Sequence, residues 1–337
     1  MPPEPIGLAV FGAGRIGGVH AANAATLPGA RLVGIADLDR PAAERQVRKH
    51  GGRVDTIPSF LADERVHAVV IATPTESHAE LITRAAAAGK HTFCEKPISL
   101  DIPATRAAMA AAKRAGIILQ VGFQRRFDDA FLQARRSVES GALGSPRFMR
   151  LVGRDHRVPP LAYLKTSGGQ FKDQMIHEFD LASWLFEPAR VVEVYATGSA
   201  IVDPALGEFG DADTTIAALR FDTGALGVID GSREAVYGYD VRAELVGSKG
   251  MIVVGHEHVV NGKLLDATSA TPELESFAER FEHAYRAELG GFLEAVSRGE
   301  RPAVGGSDAL EALRLASAAT RSFQRGRPVK LSEIADG

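Results

Sequence analysis

The sequence predicts an α/β protein: an N-terminal doubly wound parallel sheet of Rossmann type, then an α+β domain with an open mixed or antiparallel sheet. Three observations carry that prediction. Short apolar runs alternate with longer Ala-rich segments through the first third of the chain. Continuous β-branched runs such as Val69-Val70-Ile71 suit strands covered on both faces, as in a parallel sheet. After Gly122 the rhythm changes, and strands follow one another with no helix between them. At 337 residues the chain is too long for one ordinary domain, and a 45% hydrophobic content is enough for two cores and excludes global disorder.

The first five strands are placed at Ile6–Phe11, Arg31–Asp37, Val66–Thr73, His91–Glu95 and Ile117–Gly122. Helices are expected between them at Ile16–Leu27, Pro41–His50, Ser77–Ala88 and Ile102–Ala115. Beyond Gly122 come a helix over Asp128–Ser140, a strand over Arg147–Gly153, an irregular stretch through Gly169 and a helix over Lys172–Phe186. Strands then follow at Val191–Ile201, Thr214–Phe221, Gly224–Gly231, Asp240–Val246 and Met251–Val254. Turn signals such as Asp222-Thr223-Gly224 and Gly247-Ser248-Lys249-Gly250 separate them. Helices at about Leu274–Ser297 and Ser307–Arg325 close the chain. The domain split is expected at residues 1–123 and 124–337, with no repeats and no low-complexity linker.

Charge narrows the function. Thirty-nine Lys and Arg against 42 Asp and Glu leave a formal net charge of −3, which argues against wholesale nucleic-acid or membrane binding. The single cysteine, Cys94, excludes an internal disulfide framework and any multi-cysteine metal site, and suits a reducing compartment. No signal-peptide pattern and no apolar stretch of roughly 18 residues is present. A soluble cytoplasmic protein is the expectation.

Gly12-Ala13-Gly14-Arg15-Ile16-Gly17 is a G-x-G-x-x-G that follows a strand and opens a helix. Glycine is required where the backbone turns sharply, meets a pyrophosphate and packs helix on strand. Asp37 ends the next strand, 20 residues after Gly17, where a carboxylate can accept from both adenine-ribose hydroxyls. A helix-capping role for Asp37 is the plain alternative, but it leaves the glycines unexplained. Motif and acid together predict dinucleotide binding. Glu95-Lys96-Pro97 lies just past a carboxyl end of the sheet, where ligands bind in open α/β folds. An exposed lysine before a turn is usually only solvated; its position raises Lys96. Asp173 and His177 are four apart on a predicted helix entered through Gly168-Gly169. A carboxylate one turn from an imidazole is a sensible proton-transfer unit, though an ordinary surface pair has the same spacing.

Weaker signals remain. His256-Glu257-His258 sets two imidazoles on one side of a strand but lacks a third ligand, so no metal is expected. Arg125 and Arg126 could bind hydroxyls or carboxylates, or bridge the domains through ion pairs. Tyr237 and Tyr239 could line a sugar-like ligand, although alternating Tyr is also ordinary strand chemistry. The signatures of α/β-hydrolases, P-loop NTPases and zincins are absent.

In order, Val10 to Gly17, Ala36-Asp37, Cys94-Glu95-Lys96-Pro97, Gly122 to Asp128 and Asp173-x-x-x-His177 resemble the Gfo/Idh/MocA oxidoreductase family over almost the whole chain. Ser232 to Asp240, ahead of Gly247-Ser248-Lys249-Gly250, points to its inositol-oxidising branch. The resemblance implies a catalytic group of Lys96, Asp173 and His177, with NAD held by Gly12, Gly14, Arg15, Ile16, Gly17, Asp37, Thr73 and Glu95. It implies that Arg126, Asp155 and Tyr237 or Tyr239 touch a polyol substrate alongside the catalytic group. The expected reaction is oxidation of a secondary ring hydroxyl, most simply of myo-inositol to the 2-keto inositol, in a crevice between the domains. Rivals are another inositol isomer, glucose or an anhydrosugar such as levoglucosan, and a dinucleotide-binding sugar-pathway regulator. The regulator would be expected to lack the lysine or the histidine, and this chain has both. A homotetramer through the open sheet is implied as well. Two departures from the family pattern bear on the polyol: Glu178 stands where Asp is expected, and Asp230-Gly231 precedes Ser232 where Asn is expected.

Overall fold

Strand alternation in the first third produces the expected sheet. The computed structural model describes residues 4–255 and 276–334. Its elements run β1 Ile6–Phe11, α1 Arg15–Thr26, β2 Ala30–Ala36, α2 Arg40–His50, β3 Arg53–Val54, α3 Ile57–Ala62, β4 Ala68–Ile71, α4 His78–Ala87, β5 His91–Glu95, α5 Ile102–Ala115 and β6 Leu119–Gly122. The six strands are all parallel, in the order β3-β2-β1-β4-β5-β6. Because the order reverses beside β1, the carboxyl ends of β1 and β4 flank the switch point where such sheets bind ligands. β3 and α3 were not expected from the sequence; two and six residues are too short to show a period.

The chain continues with α6 Asp129–Glu139, β7 Pro146–Arg154, α7 Leu161–Leu164, α8 Gln170–Asp173, α9 Ile176–Leu185, β8 Val191–Ser199, β9 Thr214–Phe221, β10 Leu226–Ser232, β11 Asp240–Gly247 and β12 Met251–Val254. It ends with α10 Phe277–Arg280, α11 Glu282–Arg298, α12 Gly306–Arg325 and β13 Val329–Lys330. The second sheet is mixed, in the order β12-β11-β7-β10-β9-β8-β13, with β7 and β10 parallel and the remaining pairs antiparallel. Along β9 and β11 buried residues alternate with more exposed ones, so one face is packed and the other is not.

Two compact units result. One is Met1–Phe127 with Glu282–Leu310; the other is Asp128–Phe281 with Glu311–Asp336. The units are therefore discontinuous in sequence, whereas the expected split at 123/124 was a single cut. In the first unit α11 packs on α1, and Leu289 and Phe292 join Leu8, Val10, Val70 and Phe93 in one apolar cluster. Among the described residues no helix is long and apolar enough to cross a membrane.

Candidate active site

The glycine-rich loop is built by close approach. Gly12 sits at φ +103°, and a Cβ there would come 2.3 Å from the Ala72 carbonyl oxygen. A Cβ on Gly17 would lie 2.0 Å from the Gly12 carbonyl oxygen. Gly14 differs: nothing lies within 4 Å of its ideal Cβ, so its open side is where a pyrophosphate can approach the backbone. Arg15 and Ile16 open α1, which has no side-chain cap and no acid in its first turn. Its N-terminal N–H groups thus face an anion site without a competing carboxylate. At the end of β2, Asp37 accepts from the Ala13 N–H through Oδ2 (2.5 Å) and from the Asp39 N–H through Oδ1 (2.7 Å). The helix cap is Asp39, which accepts from the Ala42 N–H at 3.2 Å. The structure thus brings Asp37 and the loop together, as dinucleotide binding requires.

Thr73 follows β4 and shares a hydroxyl hydrogen bond of 2.6 Å with Ser77. Lys96 follows β5, partly exposed, with a cis peptide to Pro97. His78, which the sequence reading passed over, joins these two places. Its Nδ1 lies 2.8 Å from the Pro97 carbonyl oxygen and its Nε2 2.8 Å from that of Thr73. Glu95 points inward: its Oε1 is 2.7 Å from Nε2 of the buried His20. Glu288 of α11 completes a buried His–Glu–Glu cluster with ligand atoms within 4.8 Å of one another. Burial, with the Glu95 charge beside it, pushes the Glu288 carboxyl well above the usual carboxylate range. Cys94 is buried and its thiol is likewise pushed up, which makes it inert.

In the second unit the expected single helix over Lys172–Phe186 is two. Asp173 ends α8, Gln174 and Met175 intervene, and the partly exposed His177 lies in the first turn of α9. Asp173 is held from two sides. Tyr163 Oη donates to its Oδ1 at 2.6 Å, and Arg233 Nη1 donates to its Oδ2 at 3.0 Å. Desolvation and the neighbouring Asp173, with a smaller contribution from Asp155, push the Tyr163 phenol up. Tyr163 thus touches Asp173 and feels the charge of Asp155. Neither Tyr163 nor Arg233 was singled out from the sequence.

The softer candidates each have protein partners of their own. Arg126, in a 3-10 turn, is buried and paired with Asp308 at 3.0 Å. Tyr237 accepts from Arg154 at 2.8 Å and donates to Asp240 at 2.9 Å. Tyr239 is buried edge-on to Phe281. Asp230 pairs with Arg150 and Arg154, so the departure at 230 supports an ion-pair network. At the other departure, the buried Glu178 lies over Gly153, where a Cβ would meet its Oε1 at 2.2 Å. His256, Glu257 and His258 lie outside the described residues.

The parallel sheet with its Gly-rich loop and the mixed sheet after it are matched by the two domain models of one family. Residues 6–123 match its oxidoreductase domain, described as an NAD-binding Rossmann fold, and residues 131–253 match the Gfo/Idh/MocA C-terminal domain. The chain belongs to the Gfo/Idh/MocA oxidoreductase family. It is 41% identical over 331 residues to a myo-inositol 2-dehydrogenase of Thermotoga maritima, covering 97% of this chain and 99% of that one. It is 38% identical to a scyllo-inositol 2-dehydrogenase (NAD(+)) of Bacillus subtilis, covering 96% and 95%. The crystal structure of a Lactobacillus casei scyllo-inositol dehydrogenase with bound NAD(H) and scyllo-inositol superposes with a TM-score of 0.88 at 27% identity, covering 98% and 100%. As a member of this family the chain is an NAD-dependent oxidoreductase, and the loop and Asp37 are of the kind that cofactor needs.

Proposed function

We propose that this enzyme oxidises a secondary ring hydroxyl of a cyclic polyol, myo-inositol to the 2-keto inositol, with NAD. The observation that carries the reading is the presence of Lys96, Asp173 and His177 together in a chain 41% identical to a myo-inositol 2-dehydrogenase. When bound, NAD supplies the acceptor for the hydride of the carbinol carbon. His177 accepts the hydroxyl proton as general base. Asp173, paired with the Arg233 guanidinium, holds the substrate hydroxyl or orients His177. Lys96 places positive charge beside the developing alkoxide. Tyr163, hydrogen-bonded to Asp173, and Asp155, whose charge acts on Tyr163, are the groups that would recognise further hydroxyls.

The test follows NADH formation with myo-, scyllo- and chiro-inositol, glucose and levoglucosan in parallel. Turnover of an inositol above the others supports the reading; turnover of glucose or levoglucosan alone overturns it. NAD binding with no turnover would mark a sensor. His177→Ala should lower turnover about 10²–10⁴-fold, the usual contribution of a general base, with NAD affinity intact.

We also propose a cytoplasmic homo-oligomer, a tetramer joined through the second sheet. Support comes from the single cysteine and from Phe148, Tyr195, Ile216 and Leu226, large apolar side chains exposed on neighbouring strands. Sedimentation of the native protein as a monomer would remove the proposal.

A further inference from the structure

We propose that Arg233 is a positioning residue: it sets the direction of the Asp173 side chain without touching the substrate. The proposal rests on the reading of Asp173 as a member of the catalytic group. Arg233 follows β10 directly and its side chain is 0% exposed, whereas that of Asp173 is 13% exposed. The carboxylate therefore reaches toward solvent and ligand while the guanidinium stays behind it. A guanidinium cannot shed its charge, so its burial is tolerated only against carboxylates. Two are present: Nη1 lies 3.0 Å from Asp173, and Nη2 lies 3.6 Å from Asp211.

The support beneath Asp173 is continuous. Asp211 accepts from the Gln170 N–H at 2.9 Å, at the start of α8, while Arg233 grips Asp173 at its end. Gly169 ahead of α8 has φ +85°, and a Cβ there would come 3.1 Å from Asp211 Oδ1. The Gln174 side chain donates to the Ser232 carbonyl at 2.6 Å, and the Arg233 N–H donates to the Asp213 carbonyl at 2.8 Å. Consecutive residues of the β10 end thus hold consecutive residues 173 and 174. Asp211 and Arg233 together fix both ends of a four-residue helix whose last side chain carries the chemistry. A carboxylate so held meets the substrate in one orientation.

The experiment compares Arg233→Met, Arg233→Lys, Asp173→Asn and the Arg233→Met/Asp173→Asn double variant. It reads polyol kcat and KM, NAD affinity and thermal midpoint for each. Arg233→Met should lose about 100-fold in kcat, the scale of a 1 Å misplacement at a reacting group, with NAD affinity unchanged. Arg233→Lys, which keeps the charge, should recover about tenfold of that loss. Because Arg233 acts through Asp173, the double variant should be no slower than Asp173→Asn alone. Where Arg233→Met does not fold, Arg233→Lys carries the test through a roughly tenfold lower kcat in a folded protein. A folded Arg233 variant with wild-type kcat, beside a slow Asp173→Asn, overturns the positioning role alone. A further large loss in the double variant does the same, by showing that Arg233 supports the fold or the substrate directly. Wild-type turnover in Asp173→Asn would remove the catalytic reading and this inference with it.

Discussion

Cofactor choice turns on Asp37. Its two oxygens are drawn toward the Ala13 and Asp39 N–H groups, so the carboxylate is fixed at the edge of the Gly-rich loop. The 2′-phosphate of NADP would bring a like charge against it, a juxtaposition that costs several kcal/mol. Arg40 is the cation that could offset this, but it pairs with Glu44 at 3.1 Å on an exposed helix face. NAD is therefore expected to be strongly preferred, and Asp37→Ser to narrow the NAD/NADP ratio of kcat/KM by about 100-fold, or roughly 2.7 kcal/mol. Equal efficiency with both cofactors in the unmodified protein would contradict this. Asp37 was legible because motif and spacing specify it. Arg233 was not, because its partner Asp173 lies 60 positions away and only the packing of β10 against α8 makes them neighbours. His78 escaped for the same reason: a buried histidine joining two loop carbonyls leaves no pattern in a linear sequence.

Among elements, the β1–α1 turn shows how three glycines of one motif do different work. Gly12 and Gly17 are required by the protein itself, through contacts of an added Cβ at 2.3 and 2.0 Å with backbone oxygens. Gly14 meets nothing within 4 Å, so its requirement belongs to the ligand. Gly14→Ala should therefore keep the wild-type thermal midpoint while NAD affinity falls about tenfold or more, equivalent to 1.4 kcal/mol. Gly17→Ala should lower the midpoint itself, since overpacking costs about 1–3 kcal/mol. Calorimetry of both variants, with and without NAD, separates the two; a destabilised Gly14→Ala would refute the assignment. Apart from β3 and α3, the strands and helices of the first third could be read because each is long enough to repeat its pattern. The break between α8 and α9 could not: Gln174 and Met175 remain in right-handed helical geometry, and nothing in their side chains announces an end.

For the molecule as a whole, stability should carry a pH signature from a carboxyl group that arrives from far along the chain. Glu288 belongs to α11, and its backbone carbonyl accepts from Gln120 of β6, 168 residues earlier. Its side chain is 0% exposed, and among the described residues neither of its oxygens has a hydrogen-bond partner. Burial there, with the Glu95 charge beside it, disfavours the ionised form of Glu288 and raises its carboxyl well above the usual carboxylate range. Its folded pKa is raised above the unfolded value of 4.5, so folding takes up a proton between these two values. The stability this group contributes is complete below the unfolded pKa and is lost as pH rises toward the folded one. Glu288→Gln substitutes a neutral side chain of the same size and removes that loss. The variant should match the wild type near pH 4.5 and then exceed it by about 1.4 kcal/mol for each pH unit until the folded pKa is reached. Denaturant titrations of both proteins from pH 5 to pH 8 measure the difference directly, and contributions from titrating groups remote from Glu288 cancel in it. A difference that stayed flat with pH would mean that Glu288 is ionised in the fold, with His20 as the group that compensates it.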